Sequence, residues 1–500
     1  MKVLFINPAV SIASRIPSCP LGLLSVASYA KSKGHIVKIA DLTVKKESIV
    51  KLIKSFDPDV VAITVISSKA SKSVVNVSKI AKKYNKTVVW GGHEISLLPE
   101  LGFKENCVDF IVIGEGEITF CELLDTIKNG GSYYDVDGLA FTDKDEVHIN
   151  KFREFADLST FPVSDWSLVE PKRYLQPFFN CKKMVYIYAS KGCPAKCTFC
   201  YNAKYHHSKH RTRPPEHFIN EIEYLIKNYG VDGIYFSDEF WCPNKEDRQR
   251  FFSLVKEKKL EFVWGCMTRI GAFNKEDLQQ MYDSGCRWIL FGIESGCKER
   301  IKLIKKGIDL DKAKETMENC KEIGITSQSS LVLGYPDETV EELKETVDFA
   351  FYLGANLCTL TILFLDPGSE IFEYAVANGL YRQPKSLKEW GDFDLPNDVT
   401  VNLTKVPDID LLVIHYRMQW LEFWMKDSVK NDSFGIVKKM VGDMMKRMIK
   451  YGPINFFPAV YFSLKQFITV CWYANLYPKV LKKYGMYKRK YPDDPKTFKI

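Results

Sequence analysis

No uninterrupted apolar run in this chain reaches the ~18–20 residues that a bilayer-crossing helix needs. The nearest approach, 454–477, is interrupted by Pro458 and by Lys465-Gln466, so hydropathy supports no transmembrane span. Nor is a secretory leader expected. Met1-Lys2-Val3-Leu4-Phe5-Ile6-Asn7-Pro8 reads as a short strand, not as a charged segment followed by an apolar core. Without a leader, the 14 cysteines are expected to be thiols of a reducing compartment rather than a disulfide framework. The expected location is the cytoplasm. Charge excess is absent from most of the chain too: from Lys426 onward there are sixteen Lys and Arg against five Asp and Glu, which outweighs the net charge of +8 for the whole. Such a basic, aromatic tail suits an acidic membrane surface, an anionic substrate or nucleic acid, or is a solvated face of a helical cap. With 46% hydrophobic and 26% charged residues the chain is a folded protein, and 500 residues predict two or three domains.

What is present is concentrated in Lys191-Gly192-Cys193-Pro194-Ala195-Lys196-Cys197-Thr198-Phe199-Cys200, three cysteines spaced CxxxCxxC after the apolar run Met184–Ser190. Soft thiolates on one short loop suit three irons of a cubane cluster and leave the fourth iron open to bind a small molecule. A structural zinc site would want paired CxxC units and a fourth ligand. His206, His207 and His210 are the nearby candidates for one, in a basic loop expected to be exposed. Zinc and plain buried thiols stay as alternatives on the residues alone.

The segment, with aromatic Phe199 before its last cysteine, resembles the radical S-adenosylmethionine (SAM) superfamily. The resemblance implies that Cys193, Cys197 and Cys200 hold a 4Fe–4S cluster. Its open iron would chelate the amino and carboxylate groups of SAM, and one electron would cleave the sulfonium to a 5′-deoxyadenosyl radical.

Ahead of this loop, to about residue 130, strand-like runs alternate with one-faced helical patterns. The strands are read at Val3–Asn7, Ile36–Asp41, Val60–Ile66, Thr87–Trp90 and Phe110–Ile113, and the helices at Leu21–Lys33, Glu47–Phe56 and Ala70–Tyr84. That order predicts a doubly wound, Rossmann-like parallel sheet with ligands at the carboxyl ends of its strands. Those ends carry Asn7-Pro8, Ser67-Ser68, Gly91-Gly92-His93 and Gly114-Glu115-Gly116-Glu117, where glycines let backbone approach a bulky ligand. Together with Pro20-Leu21-Gly22-Leu23 and Gly34-His35, these segments look like the cobalamin-binding domain fused to many radical SAM enzymes. The implied corrinoid contacts are Ser67, Ser68, Gly91, Gly92, His93, Gly114 and Glu115. A DxHxxG segment with a cobalt-ligating histidine is missing after the first strand, so the resemblance implies cobalamin without a histidine ligand; His93 would be a loop or phosphate-contacting residue.

Residues 131–182 mix short strands and aromatic residues with Pro162, Pro171 and Pro177 and read as a linker that packs along the second domain. From 183 to 385, strands are expected at Met184–Ser190, Gly233–Ser237, Phe262–Thr268, Trp288–Glu294, Ser327–Leu333 and Cys358–Phe364, each followed by a helix. Six such units predict a partial, six-stranded β/α barrel of TIM type. The resemblance places SAM contacts at its strand ends: Asp238 and Glu239 for the ammonium, Arg269 for the carboxylate, Glu294 for the ribose and Gly334 beside the adenine. Cys242, Cys266, Cys286 and Cys297 lie near barrel strand ends, where a second cluster is the alternative, but their irregular spacing reads as buried thiols. From 386 to 500 the chain reads as helical and aromatic, with Trp420 and Trp424 on one face. This suits a cap over the barrel mouth or a helix pair in a membrane interface.

The reaction implied by the resemblance is methylation of an unactivated carbon on a hydrophobic small molecule or lipid, by methylcobalamin that a second SAM regenerates. An external one-electron reductant such as flavodoxin or ferredoxin is implied as partner, and nucleic acid is not expected. The alternative is a cyclase or carbon–carbon bond former, since the layout also looks like the anaerobic magnesium-protoporphyrin monomethyl ester cyclase group. A non-catalytic iron–sulfur carrier or sensor is the third reading, although carriers usually enclose their cluster with four protein ligands.

Overall fold

Strands covered on both faces read as continuous apolar runs, and Val3–Ile6 and Val60–Ile63 are of this kind, every side chain buried. The computed structural model describes residues 1–9, 18–178, 181–393 and 401–415, with 480 and 483. In the first domain β1 (Lys2–Asn7), β2 (Ile36–Asp41), β3 (Val60–Thr64), β4 (Thr87–Gly91) and β5 (Phe110–Val112) run parallel in the order 2-1-3-4-5. The chain order reverses at β1, and in sheets of this topology the crevice at the carboxyl ends beside that reversal is the ligand site. Helices Leu21–Ser32 and Gly116–Asn129 cover one face through Leu23, Ala27, Phe120 and Leu124. Helices Ile49–Phe56 and Ser71–Lys83 cover the other through Leu52, Ile53, Val74 and Val77.

The stretch read as a linker is built into both domains. β6 (Leu139–Asp143) and β7 (Glu146–Ile149) extend the first sheet antiparallel. Farther on, the buried Trp166 donates to Glu221 Oε1 at 2.7 Å and Tyr174 donates to Asp41 Oδ2 at 2.9 Å, one bond into each domain.

The second sheet begins with β8 (Gln176–Phe178), antiparallel at the edge of β9 (Cys181–Ile187). A small antiparallel pair, β10 (Ser190–Lys191) and β11 (Arg211–Thr212), brackets the cysteine loop. Beyond it β12 (Gly233–Phe236), β13 (Val263–Arg269), β14 (Cys286–Glu294), β15 (Thr326–Leu333) and β16 (Leu357–Ile362) continue parallel to β9 in sequence order. The expected six parallel strands are therefore all present and curl into a half-barrel. Two of its helices start on reciprocal capping boxes, Asn274 with Asp277 and Thr339 with Glu342.

The helix Leu387–Phe393 returns to the first domain, where Leu387 and Trp390 join its core. Residues 401–415 return to the barrel, where Leu403, Val406, Leu411 and Ile414 are buried. The expectations for Trp420, Trp424 and 454–477, and nearly all of the basic tail, lie outside the described residues. Among the described residues no helix is long and apolar enough to cross a membrane.

Candidate functional site

The cysteine loop leaves β10 at the carboxyl edge of the half-barrel and is pinned at several backbone points. Gly192 N donates to Glu239 Oε2 at 3.1 Å, Thr198 N to Ile304 O at 3.0 Å, and Cys200 N to Cys197 O at 3.2 Å. Asn202 Nδ2 reaches back to Cys193 O at 2.7 Å. At Gly192 φ is +81° and a Cβ would lie 2.1 Å from Lys209 O, so only glycine fits before the first cysteine. Cys193 and Cys197 are buried and Cys200 is partly so; burial raises the Cys193 thiol and pushes Cys200 up to about 12. Thiols so disfavoured as free thiolates are stabilised in that form by metal coordination. Among the described residues no three His, Cys, Asp or Glu side chains converge as they would on one ion. Three thiols on one short loop, each able to take its own iron, suit the cluster's donor set. Cys242, Cys266, Cys286 and Cys297 are buried free thiols.

A cavity of about 400 Å³ opens between this loop and the carboxyl ends of the first sheet, within the range of ligand pockets. Phe5, Thr64, Ile66, Gly91, Gly92, His93, Gly114 and Glu115 line it from the first domain; Ser190, Lys191, Tyr201, Tyr205, His206 and Glu239 line it from the second. Gly92 is held at φ +116°, and a Cβ there would lie 2.7 Å from Val65 O. At Gly114, φ is +77°. These two glycines keep the cradle open where any side chain would strain the turn. Ser67 and Ser68 stand apart from the lining: Ser67 precedes the short turn Ser68–Ala70 and Ser68 is fully buried, because the chain turns into its helix one residue after Ile66. His93 stacks on Tyr201 with ring centres 4.8 Å apart, and burial lowers its imidazole to about 4.

Charges tie the two walls together. Lys191 Nζ lies 2.8 Å from Glu117 Oε1 and 3.8 Å from Glu115 Oε2, and Arg211 is paired bidentately with Glu115. Glu117 also accepts from Ser25 Oγ at 2.6 Å, and Tyr205 donates to Gly114 O at 3.0 Å. His206, expected in an exposed loop, is instead 5% exposed, between Glu115 and Glu239; only its neighbour His207 is exposed. Tyr201, Tyr205 and Arg211 are thus residues of this cavity region that sequence reasoning missed, while Glu117, Lys191 and His206 were singled out without the interdomain pairing they make. The one available signal was the position of Tyr201, which immediately follows the last cysteine.

At the barrel's strand ends the expected SAM contacts fall into distinct settings. Asp238 is fully buried and accepts from Ala189 N at 2.9 Å and Ser190 Oγ at 2.6 Å. It fixes the strand end that launches the cysteine loop. Glu239 reaches the cavity. Glu294, at φ +75°, pairs with Lys306 at 2.8 Å. Gly334, at φ +103°, begins a turn whose N–H groups at 334 and 335 donate to Glu338 at 2.7 and 3.1 Å. Leu403 O and Lys405 N close on Asp337 and Glu338, so the segment after the barrel braces this turn. Arg269 points its Nη1 at Cys197 Sγ, 3.6 Å away. Phe199 packs against the buried Tyr335, ring centres 5.8 Å apart.

The comparisons agree with this geometry. Residues 187–350 match the Radical SAM superfamily and residues 12–124 match the B12 binding domain. The chain is 32% identical over 394 residues to an uncharacterized methyltransferase of Pyrococcus horikoshii, covering 76% of this chain and 84% of that one. It is 25% identical over 392 residues to an anaerobic magnesium-protoporphyrin IX monomethyl ester cyclase of Rubrivivax gelatinosus, over 75% and 70% of the two chains. The solved radical SAM methyltransferase TsrM from Kitasatospora setae, with cobalamin and a 4Fe–4S cluster bound, shares the fold at TM-score 0.64 and 18% identity over 76% of each chain. A cluster, SAM and cobalamin are accordingly this chain's cofactors, and a bare electron carrier is excluded. The chain belongs to the radical SAM enzymes that carry a B12-binding domain.

Proposed function

We propose that the chain is a cobalamin-dependent methyltransferase acting on an unactivated carbon of a hydrophobic small molecule or lipid. The observation that carries this reading is a cavity that the glycine-lined strand ends of the first domain share with Ser190, Lys191 and Tyr201, at the two ends of the cysteine loop of the second. When bound there, the cofactors supply one-electron cleavage of SAM and a transferable methyl group.

The protein's own part is placement and exclusion of water. Gly92 and Gly114 hold backbone close to the corrinoid's place, while Tyr201, Tyr205 and His93 line the same cavity as a packed aromatic group. Lys191 and Arg211, fixed on Glu117 and Glu115, hold the two walls at one separation, as a reaction dependent on close approach requires. Glu239 and Glu294 are the carboxylates available to SAM's ammonium and ribose, with Asp238 behind them. A hydrophobic substrate is supported by Ile66, 47% exposed on the cavity lining, and by Phe364, 40% exposed just past β16. An external one-electron carrier such as flavodoxin or ferredoxin would supply the electron. The cysteine-rich composition suits a cytoplasmic setting; contact with a membrane surface rests on the basic tail alone.

Cyclisation is the second reading, favoured by the likeness to the Rubrivivax gelatinosus cyclase. The test needs no substrate. Protein made anaerobically with cobalamin is given methyl-labelled SAM and a low-potential reductant. Methyl transfer predicts label on the protein-bound corrinoid together with 5′-deoxyadenosine. If 5′-deoxyadenosine forms while all label stays on SAM and its by-products, the methyltransferase reading fails and cyclisation is left.

A further inference from the structure

Arg269 is anchored differently from the other basic side chains around the cysteine loop. Lys191, Arg211, Arg300 and Lys306 each have a carboxylate partner: Glu117, Glu115, Glu342 and Glu294 respectively. Arg269 has no carboxylate within ion-pair distance among the described residues. Its Nη2 donates to Lys306 O and its Nη1 faces Cys197 Sγ at 3.6 Å, within hydrogen-bond reach for the larger sulfur atom. The turn after helix Lys298–Leu303 supplies both anchors: Ile304 O accepts from Thr198 N of the cysteine loop, and Lys306 O accepts from Arg269. Loop and guanidinium are therefore fixed to the same short piece of backbone, so their separation is set before any cofactor arrives. The charge that would balance this guanidinium is the Cys197 thiolate.

We propose that Arg269 is a positioning residue for the cluster, a donor to the Cys197 sulfur that makes the cluster easier to reduce, and not a clamp on the carboxylate of SAM. Reduction adds one electron from the external carrier to the cluster and makes its thiolate-ligated core more negative. A fixed positive donor at one sulfur stabilises the reduced state more than the oxidised one, and hydrogen bonds to cluster sulfurs are known levers on potential. The inference rests on the assignment of a 4Fe–4S cluster to this loop, but not on methyl transfer.

The test is an EPR-monitored redox titration of the reconstituted full chain, beside SAM affinity measured on the same samples. Arg269→Met is expected to shift the cluster midpoint to more negative potential and to leave SAM affinity within about twofold, since no charged pair with SAM is lost. Arg269→Lys, which keeps the charge without the fork, should recover part of the shift. The iron–thiolate stretch in resonance Raman spectra of the oxidised cluster should rise in Arg269→Met as the sulfur loses its donor. An unchanged midpoint with SAM affinity weakened about tenfold, the loss of one charged contact, would overturn the proposal and return Arg269 to the SAM carboxylate. If Arg269→Met assembles no cluster, the Lys variant decides between the same two outcomes. Because none of these readouts involves a methyl group, a failed label-transfer experiment leaves this result standing.

Discussion

The two sheets meet the same cavity with opposite chemistry. The first presents missing side chains: Gly91, Gly92, Gly114 and Gly116 line the cavity, and its charge there is confined to Glu115 and Glu117, which are already spent on Arg211 and Lys191. The half-barrel presents charge: Glu239 and Lys191 line the cavity, and Asp238, Glu294 and Glu338 stand behind at its strand ends, the four carboxylates sharing the three loops after β12, β14 and β15, with Asp238, Glu239 and Glu338 accepting backbone N–H donors. A large, rigid ligand is best admitted by backbone that does not intrude, whereas a small zwitterion is oriented by fixed charges. The contrast explains how one cavity can serve two cofactors without confusing them.

Removing the barrel's metal ligands tests the contrast most severely. Cys197→Ser is expected to abolish 5′-deoxyadenosine formation while corrinoid retention persists, read as iron and cobalt per chain; loss of both would mean that the walls do not act separately. Next in size, Lys191→Met strands the buried Glu117 between the domains and should cost about 3 kcal/mol, seen as a lower thermal midpoint that Glu117→Gln in the same chain partly restores. Gly92→Ala forces a side chain into glycine-only backbone at about 1–3 kcal/mol and should weaken corrinoid retention by about tenfold, leaving iron content unchanged.

The smallest effect concerns pH. Burial lifts the carboxyls of Asp238 and Glu338 to about 7. Each keeps its proton in the folded chain where the unfolded chain has lost it, so their stabilising contribution is full in acid. It declines as pH rises from the ordinary carboxylate range to about 7, by up to about 1.4 kcal/mol per unit for each group. Glu338→Gln keeps an acceptor for Gly334 and Tyr335 but cannot titrate, so its thermal midpoint should fall less between about pH 5 and pH 7.5 than that of the parent chain. Parallel slopes would show that Glu338 does not titrate there.

Local pattern carried a great deal. Apolar runs bounded by Gly, Asn or Ser marked all eleven parallel strands to within a few residues, because a buried strand and a one-faced helix differ in period. The cysteine spacing marked the cluster loop, because three soft ligands on one loop leave few other uses. The antiparallel β6–β7 addition was not legible, since pairing at a sheet edge depends on which strand is left uncovered. His206 was read as part of an exposed basic loop, because its partner Glu115 belongs to another domain, 91 residues away in sequence.

By itself, then, the sequence determined the eleven parallel strands, the cluster motif and the glycines of the cradle, all properties of short segments whose period or backbone freedom is local. Tertiary structure alone decided that Lys191 bridges two domains, that Asp238 supports instead of facing the cavity, and that Arg269 turns to Cys197. Each of these is a competition among partners for one charge, and which partner wins depends on distances that only the folded chain sets.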